Sequence, residues 1–330
     1  MFSPSQKPVE ADRRPSWNAT AVVLQQPGAV DLRELELSRP GPADLVVDIE
    51  WSGISSGTER LLWKGTMPRF PGMGYPLVPG YESVGRVRKA GQHCTTPVGS
   101  RVFVAGASCF GDIRGLFGGA ASRVVVAESK TLLIGDALAE RGILLALAAT
   151  AVHALHDRDQ FKPPELIVGH GVLGRLLARA TLALGGEPPV VWETNAARRS
   201  GGQGYPIIDP ATDDHSDYRR ACDVSGAERI IDAIAPRLGR GGELVLAGFY
   251  SGDVSFAFAA AFMRELKLRI SAEWQPRDLA KAHRLVDRGA LSLDDLITHR
   301  LPAAAAADAY ATAFDEPECL KMVLDWRAST

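Results

Sequence analysis

The sequence predicts an α/β protein with a β-rich domain followed by a doubly wound parallel sheet. Three observations carry that prediction. The apolar run Leu166-Ile167-Val168 leads into Gly169, Gly171 and Gly174. Leu173, Leu176, Leu177, Ala180 and Leu184 then recur at the spacing of a buried helix face, until Gly185-Gly186 stops it. Beyond it, strand-like runs at 189–193, 206–209, 222–224, 243–247 and 266–274 alternate with helical segments such as 230–238, the order of a parallel sheet. Ahead of it, residues 17–130 have short apolar or alternating runs (19–24, 45–51, 83–87, 101–104, 121–126) parted by Gly, Pro and Asp, the texture of a small irregular barrel or sandwich.

The remaining elements follow in chain order. Residues 1–16 are rich in proline and charge and lack an apolar core, so they read as a flexible tail and not as a secretion signal. Residues 61–79 hold four prolines and several glycines and must cross the surface as a loop. The stretch 139–156, rich in Leu and Ala, is a helix, and Pro163-Pro164 breaks the chain before the central strand. After Pro276 come a helix at 280–288, an apolar run at 296–301, a helix at 304–314 and a strand at 321–326, expected to return to the first domain. The expected organisation is thus 1–16 tail, 17–150 first domain, 151–276 second domain and 277–330 return.

With 330 residues, 23% charged and 46% hydrophobic, the chain has ample length for real cores. A formal net charge of −2 gives no electrostatic reason to expect nucleic acid. No uninterrupted apolar run has the length of a membrane span, so no integral membrane segment is expected. Cys94, Cys109, Cys222 and Cys319 are scattered without a C-x-x-C pair, which argues against a disulfide framework or structural zinc and fits a cytoplasmic protein. His153 and His156, at i and i+3 of a helix, lack a third ligand and are read as ordinary hydrogen-bonding groups.

The glycine turn has a specific physical reading. Gly169 permits the tight bend, Gly171 lets backbone approach a pyrophosphate, and Gly174 lets the helix pack on the strand. The helix start at Val172 and Leu173 then offers free N–H groups to the phosphates. Glu193 ends the next strand 19 residues after Gly174, where an acid binds the two hydroxyls of an adenosine ribose and repels a 2′-phosphate. The expected cofactor is therefore NAD. Arg198 and Arg199 speak mildly for NADP but are read as solvated on the next loop.

Two further stretches carry a family likeness. Gly53-Ile54-Ser55-Ser56-Gly57-Thr58-Glu59 and Leu77-Val78-Pro79-Gly80-Tyr81-Glu82 resemble the G-I-C-G-T-D and P-G-H-E segments of the medium-chain dehydrogenase/reductase family. With the order of elements, the resemblance covers about residues 18–327 and implies a GroES-like substrate domain and a Rossmann domain. It puts the family's first zinc-ligand cysteine on Ser56, its histidine ligand on Tyr81 and its third ligand near Ala146, and the four-cysteine zinc lobe is missing. Hydroxyl and methyl groups do not replace thiolate and imidazole, so no metal site is expected. The resemblance makes Thr58 the proton-relay hydroxyl, with Tyr81 or Ser56 donating to the substrate oxygen. Glu59 and Glu82 would orient them.

Residues 52–83, with their S-S-G-T-E and P-G-Y-E forms, further resemble a zinc-free branch of the family. Its members oxidise a 3-(1-hydroxyethyl) group on a bacteriochlorin to acetyl with NAD, late in bacteriochlorophyll synthesis. That implies a magnesium tetrapyrrole substrate. Trp63, Phe70 and Tyr75, with Leu62, Met67 and Met73, would offer it apolar surface. Arg60, Lys64 and Arg69 would meet its carboxylate. A proline-stiffened lid packed on its own barrel accounts for the same residues. A zinc-free NAD(P)H-dependent quinone or enone reductase, and a non-catalytic nucleotide-binding protein, remain open as alternatives. Edge strands at 243–247 or 266–274 are the candidates for pairing in a homodimer.

Overall fold

The computed structural model describes residues 17–69 and 72–328, so the expected tail at 1–16 lies outside the described residues. The two halves of the chain carry separate sheets. In the first half, strand Asn18–Gln26 turns at Gly28 (φ 74°) into Ala29–Glu36, an antiparallel partner not evident from the apolar runs. Its mostly exposed, charged sequence hides it from hydrophobic patterning. The long strand Asp44–Ile54 is central to a seven-stranded sheet, pairing antiparallel with Ser83–Ala90 and Arg123–Ala127. Arg101–Val104 and Thr131–Leu133 extend that sheet. Its other edge is made by the end of the chain. Met322–Asp325 lies antiparallel to Asp44–Ile54 and parallel to His299–Pro302.

The second sheet is six-stranded and parallel throughout, in the order Ile207–Ile208, Val190–Trp192, Leu166–Val168, Tyr218–Asp223, Leu238–Leu246, Lys267–Ile270. Strand Leu166–Val168 lies where the chain order reverses, with the next strand on one side and a later one on the other. Open parallel sheets bind ligands at the carboxyl ends of strands flanking such a reversal. The glycine turn therefore lies at the place topology reserves for a ligand.

Several segments differ from the sequence expectation. The loop at 61–79 opens with a helix, Thr58–Lys64, ended by Gly65 in the left-handed conformation (φ 68°). The helix expected at 139–156 starts as 3₁₀ turns over Asp136–Leu144, is broken at Ala139 (φ 44°), and becomes α-helical only over Leu145–Ala154. Asp136–Ala154 is long and apolar enough to span a membrane by length and composition, but most of it is buried within the protein. Helices Val172–Ala183 and Pro276–Asp287 pack against it in one core with Ile167, Leu176, Ala282 and Leu285. The latter helix begins earlier than expected because Pro276 sits at its first turn and Gln275 and Asp278 form a capping box. It packs chiefly on helix Leu145–Ala154, and the chain rejoins the first half's sheet at His299.

Candidate active site

At the glycine turn, each glycine has a distinct cause. Gly169 takes φ 102°, open mainly to glycine, and a Cβ on Gly174 would lie 1.9 Å from the Gly169 carbonyl oxygen. A Cβ on Gly171 would meet nothing within 4 Å, so its surroundings are open cleft. Helix Val172–Ala183 follows with no side-chain cap. Its first backbone bond runs from Arg175 N to Gly171 O, which leaves the N–H groups of Val172, Leu173 and Gly174 directed outward. These features fit a bound dinucleotide.

Glu193 holds this turn as well as facing the cleft. Its Oε2 accepts from the His170 N–H (3.0 Å) and its Oε1 from the Asn195 N–H (2.8 Å). The His170 side chain is buried, with Nδ1 2.6 Å from the Arg198 carbonyl and Nε2 3.0 Å from the Tyr205 hydroxyl. A neutral ring satisfies both contacts, Nδ1–H donating and Nε2 accepting. Burial pushes the imidazole down to about 4, in keeping with that form. Arg198 and Arg199 are not the solvated pair the sequence suggested. Arg198 Nε donates to the Pro317 carbonyl (2.9 Å) beside the cleft, and Arg199 pairs with Asp209 (3.1 Å). Folding brings 209 and 317 to this loop, which no local pattern announces.

At the other end of the cleft, the residues after strand Asp44–Ile54 turn into helix Thr58–Lys64 and meet Tyr81. The Ser55 Oγ lies 2.8 Å from the Tyr81 hydroxyl, and Thr58 N–H donates to Ser55 Oγ (3.3 Å). The serine beside Tyr81 is thus Ser55, which is buried. Ser56, the residue expected there, is exposed at the cleft wall. The stretch has one residue more than G-I-C-G-T-D, and only the fold decides which serine turns inward. Burial, with the Glu82 charge nearby, drives the Tyr81 pKa well above that of a free phenol. It is a hydrogen-bonding phenol and not a base.

Glu59 and Glu82 lie behind this group, fully buried. Glu82 pairs with Lys321 Nζ at 2.7 and 3.0 Å, and Lys321 also donates to the Ile54 carbonyl (3.2 Å). A Cβ on Gly53 would come within 2.3 Å of Glu82 Oε2, so the glycine makes room for the ion pair. Glu59 accepts from Ser55 N–H (3.0 Å) and the Tyr310 hydroxyl (2.5 Å), and burial raises it to about 7. Ala146 is buried in its helix, and no group of three His, Cys, Asp or Glu able to hold a metal occurs among the described residues. The donors around Tyr81 do not fit zinc. His153 bonds Asp278 (2.8 Å), and His156 bonds the Val152 carbonyl and Lys281 (2.7 and 2.8 Å).

A cleft of about 1510 Å³ joins the two ends, lined by both halves of the chain. It exceeds the roughly 300–1,000 Å³ of an ordinary small-molecule pocket, leaving room for two ligands. Of the residues expected to touch substrate, Arg60 lines it. Trp63 instead packs on Tyr310 and Phe314 (ring centroids 6.2 and 6.1 Å), and Tyr75 donates to the Leu62 carbonyl. Leu62 and Met67 are buried with Leu24, Leu77 and Leu116, with Met73 packed against them. Lys64 is exposed and does not line the cleft, and Phe70 lies outside the described residues. Among the described residues, then, this segment packs chiefly on its own barrel. Sequence reading missed Ser55, Phe117, Trp274 and Lys321, which do line the cleft.

The alcohol dehydrogenase GroES-like domain family matches residues 41–136. The 2-desacetyl-2-hydroxyethyl bacteriochlorophyllide A dehydrogenase of Rhodobacter capsulatus is 59% identical over 93% of this chain and 98% of its own. Its namesake from Cereibacter sphaeroides is 56% identical over 94% and 99%. Among solved structures, acetophenone reductase from Geotrichum candidum in complex with NAD superposes with a TM-score of 0.80 at 17% identity, covering 95% of this chain and 98% of that one. The last shares the fold. The chain therefore belongs to the medium-chain dehydrogenase/reductase family, nicotinamide-dependent dehydrogenases that act on alcohols.

Proposed function

We propose that this protein oxidises the 3-(1-hydroxyethyl) group of a bacteriochlorophyllide to 3-acetyl, with NAD as acceptor and without a catalytic zinc. The observation that carries the reading is the Tyr81 hydroxyl, held by Ser55 beside Thr58 on the same cleft as the glycine turn. The near-full-length identity to the two bacteriochlorophyllide dehydrogenases supplies the substrate class.

The oxidation removes a hydride from the carbinol carbon and a proton from its oxygen, leaving the acetyl carbonyl. NAD, when bound, supplies the hydride acceptor. Gly169, Gly171 and the N–H groups of Val172, Leu173 and Gly174 would hold its pyrophosphate, and Glu193 its adenosine ribose, with Arg198 alongside. Tyr81, kept protonated by its buried setting, donates a hydrogen bond to the substrate oxygen, a task for which the family's metal ligands are lacking here. Ser55 fixes the phenol, and Thr58 takes the hydroxyl proton toward solvent. The Glu82–Lys321 pair and Glu59 act by positioning this corner. Arg60, which lines the cleft, would meet the substrate's propionate. The magnesium arrives within the substrate.

A second copy of the chain is the expected partner. Lys267–Ile270 is the edge of the parallel sheet, and Leu268, Ile270, Phe258, Phe262 and Met263 are exposed around it.

The test is the absorption spectrum of the purified protein with 3-(1-hydroxyethyl)bacteriochlorophyllide a and NAD. Conjugating a carbonyl with the ring moves the long-wavelength band to the red as NADH appears. A shift with NAD, much smaller with NADP and unaffected by a zinc chelator, is expected. No oxidation of the bound pigment overturns the reaction, and chelator inhibition with zinc in the protein overturns the metal-free reading.

A further inference from the structure

Three aromatic rings from three parts of the chain converge where the two halves face one another. Tyr81 follows the turn at Pro79-Gly80. Phe117 comes from the loop after strand Arg114–Gly115, and its ring stands edge-on to that of Tyr81 (centroids 5.5 Å, interplanar angle 88°). Trp274 arrives from the parallel-sheet half, beyond strand Lys267–Ile270, and lies 6.3 Å from Tyr81 at 42°. Phe117 and Trp274 are each only half-buried, and both line the cleft. Leu132, Leu147 and Leu279 continue the apolar wall around them.

Part of each flanking ring is thus left toward the cleft, although burying apolar surface is worth about 25 cal/mol per Å². Tyr81 packs against both neighbours while its hydroxyl is held by Ser55. Such a group suits a ligand that is flat, broad and apolar beside the reacting carbon. A small polyol would need hydrogen-bond donors and acceptors at these positions, and neither Phe117 nor Leu132 supplies one.

We infer that Phe117 and Trp274 form an aromatic clamp, one jaw from each half of the protein, that grips the macrocycle of the substrate and presents its side-chain alcohol to Tyr81. The inference rests on the proposed function for the identity of the macrocycle. It assigns substrate selectivity to two residues outside the segment 60–75, and Trp274 makes the grip depend on how the halves meet. Aromatic contacts of this kind add affinity beyond the area they cover.

The test compares wild type with Phe117→Ala, Trp274→Ala and Trp274→Phe. Steady-state oxidation of 3-(1-hydroxyethyl)bacteriochlorophyllide a is measured at saturating NAD, and pigment binding by quenching of tryptophan fluorescence. Each alanine variant is expected to raise the KM and the dissociation constant for pigment roughly five- to tenfold. The KM for NAD should stay unchanged, and Trp274→Phe should recover most of the loss. Unchanged pigment KM and binding overturn the clamp, as does a fall in kcat alone, which would make the rings mere supports of Tyr81. A wild type that binds pigment without oxidising it sinks the proposed reaction, and the clamp is then judged on the binding constants. A wild type that neither binds nor oxidises it overturns both.

Discussion

The glycine turn at one end of the cleft is a single run of chain, residues 166–174, whereas the corner around Tyr81 draws on Gly53 to Glu59, Glu82, Tyr310 and Lys321. At the turn the backbone does the work, so residue type follows from local conformation: φ 102° at Gly169 and a carbonyl 1.9 Å from any Cβ at Gly174. At the corner the work is done by side chains whose partners are more than two hundred residues away, such as Glu82 with Lys321 and Glu59 with Tyr310. The first site has a position, Gly171, that can be altered without touching the fold. The second is part of the core.

The sharpest way to break that contrast is at Tyr81. Tyr81→Phe keeps the ring among Phe117 and Trp274 but removes the hydroxyl bonded to Ser55. We expect kcat to fall roughly 10²–10³-fold, the range for a positioned donor or acid–base group, with the KM for NAD unchanged. Activity close to wild type would move the chemistry elsewhere in the cleft.

Next in size is a pH effect confined to the corner. Glu59, raised to about 7 chiefly by burial, keeps its proton in the folded protein over a range where the unfolded chain, near 4.5, has lost it. The folded state then binds more protons, so stability is greatest below pH 4.5, falls as pH rises toward 7 and is level above. Glu59→Gln removes this dependence. Between pH 4.5 and 8, denaturant unfolding of the wild type should lose on the order of 3 kcal/mol relative to the variant. Parallel curves for the two proteins would show that Glu59 ionises normally.

The same contrast explains what the sequence disclosed. The parallel sheet, the turn and Glu193 are written in local periodicity and in spacing along the chain. Tyr81 and Thr58 were legible because they stand in short motifs. The choice of Ser55 over Ser56 depends on how one extra residue is absorbed after strand Asp44–Ile54, a matter of tertiary packing. Lys321 reads as an ordinary surface lysine until Met322–Asp325 pairs with that strand and carries it under Glu82. Trp63 and Tyr75 misled for the opposite reason. Large aromatic residues on a proline-rich segment look like binding surface, yet they anchor that segment to its own domain.

At the turn, Gly171 and Gly174 separate ligand from fold. Gly171 has an extended backbone (φ −74°, ψ −171°) and open space where a Cβ would stand, so Gly171→Val should leave the melting temperature near wild type. It should raise the KM for NAD roughly tenfold or more, by filling the approach of the pyrophosphate. Gly174→Val should lower the melting temperature first, because its Cβ has no room beside the Gly169 carbonyl. Equal losses of stability in both variants would mean that the turn is glycine-rich for packing alone.

The smallest expected effect is at Glu193, and it tests whether the two roles of that carboxylate can be parted. Its oxygens already accept the His170 and Asn195 N–H groups, so it braces the turn and also faces the cleft. If the charge selects the cofactor, Glu193→Gln retains an acceptor for one of those bonds but loses the repulsion of a 2′-phosphate, with Arg198 close by to receive one. The ratio of kcat/KM for NAD over NADP should then fall about tenfold, or ~1.4 kcal/mol, mostly through a better KM for NADP. If bracing dominates, both cofactors lose together and the ratio holds. That result would make the selectivity of this family member a property of how residues 193–199 are anchored, through His170 to the turn and through Arg198 to Pro317, and not of one charge.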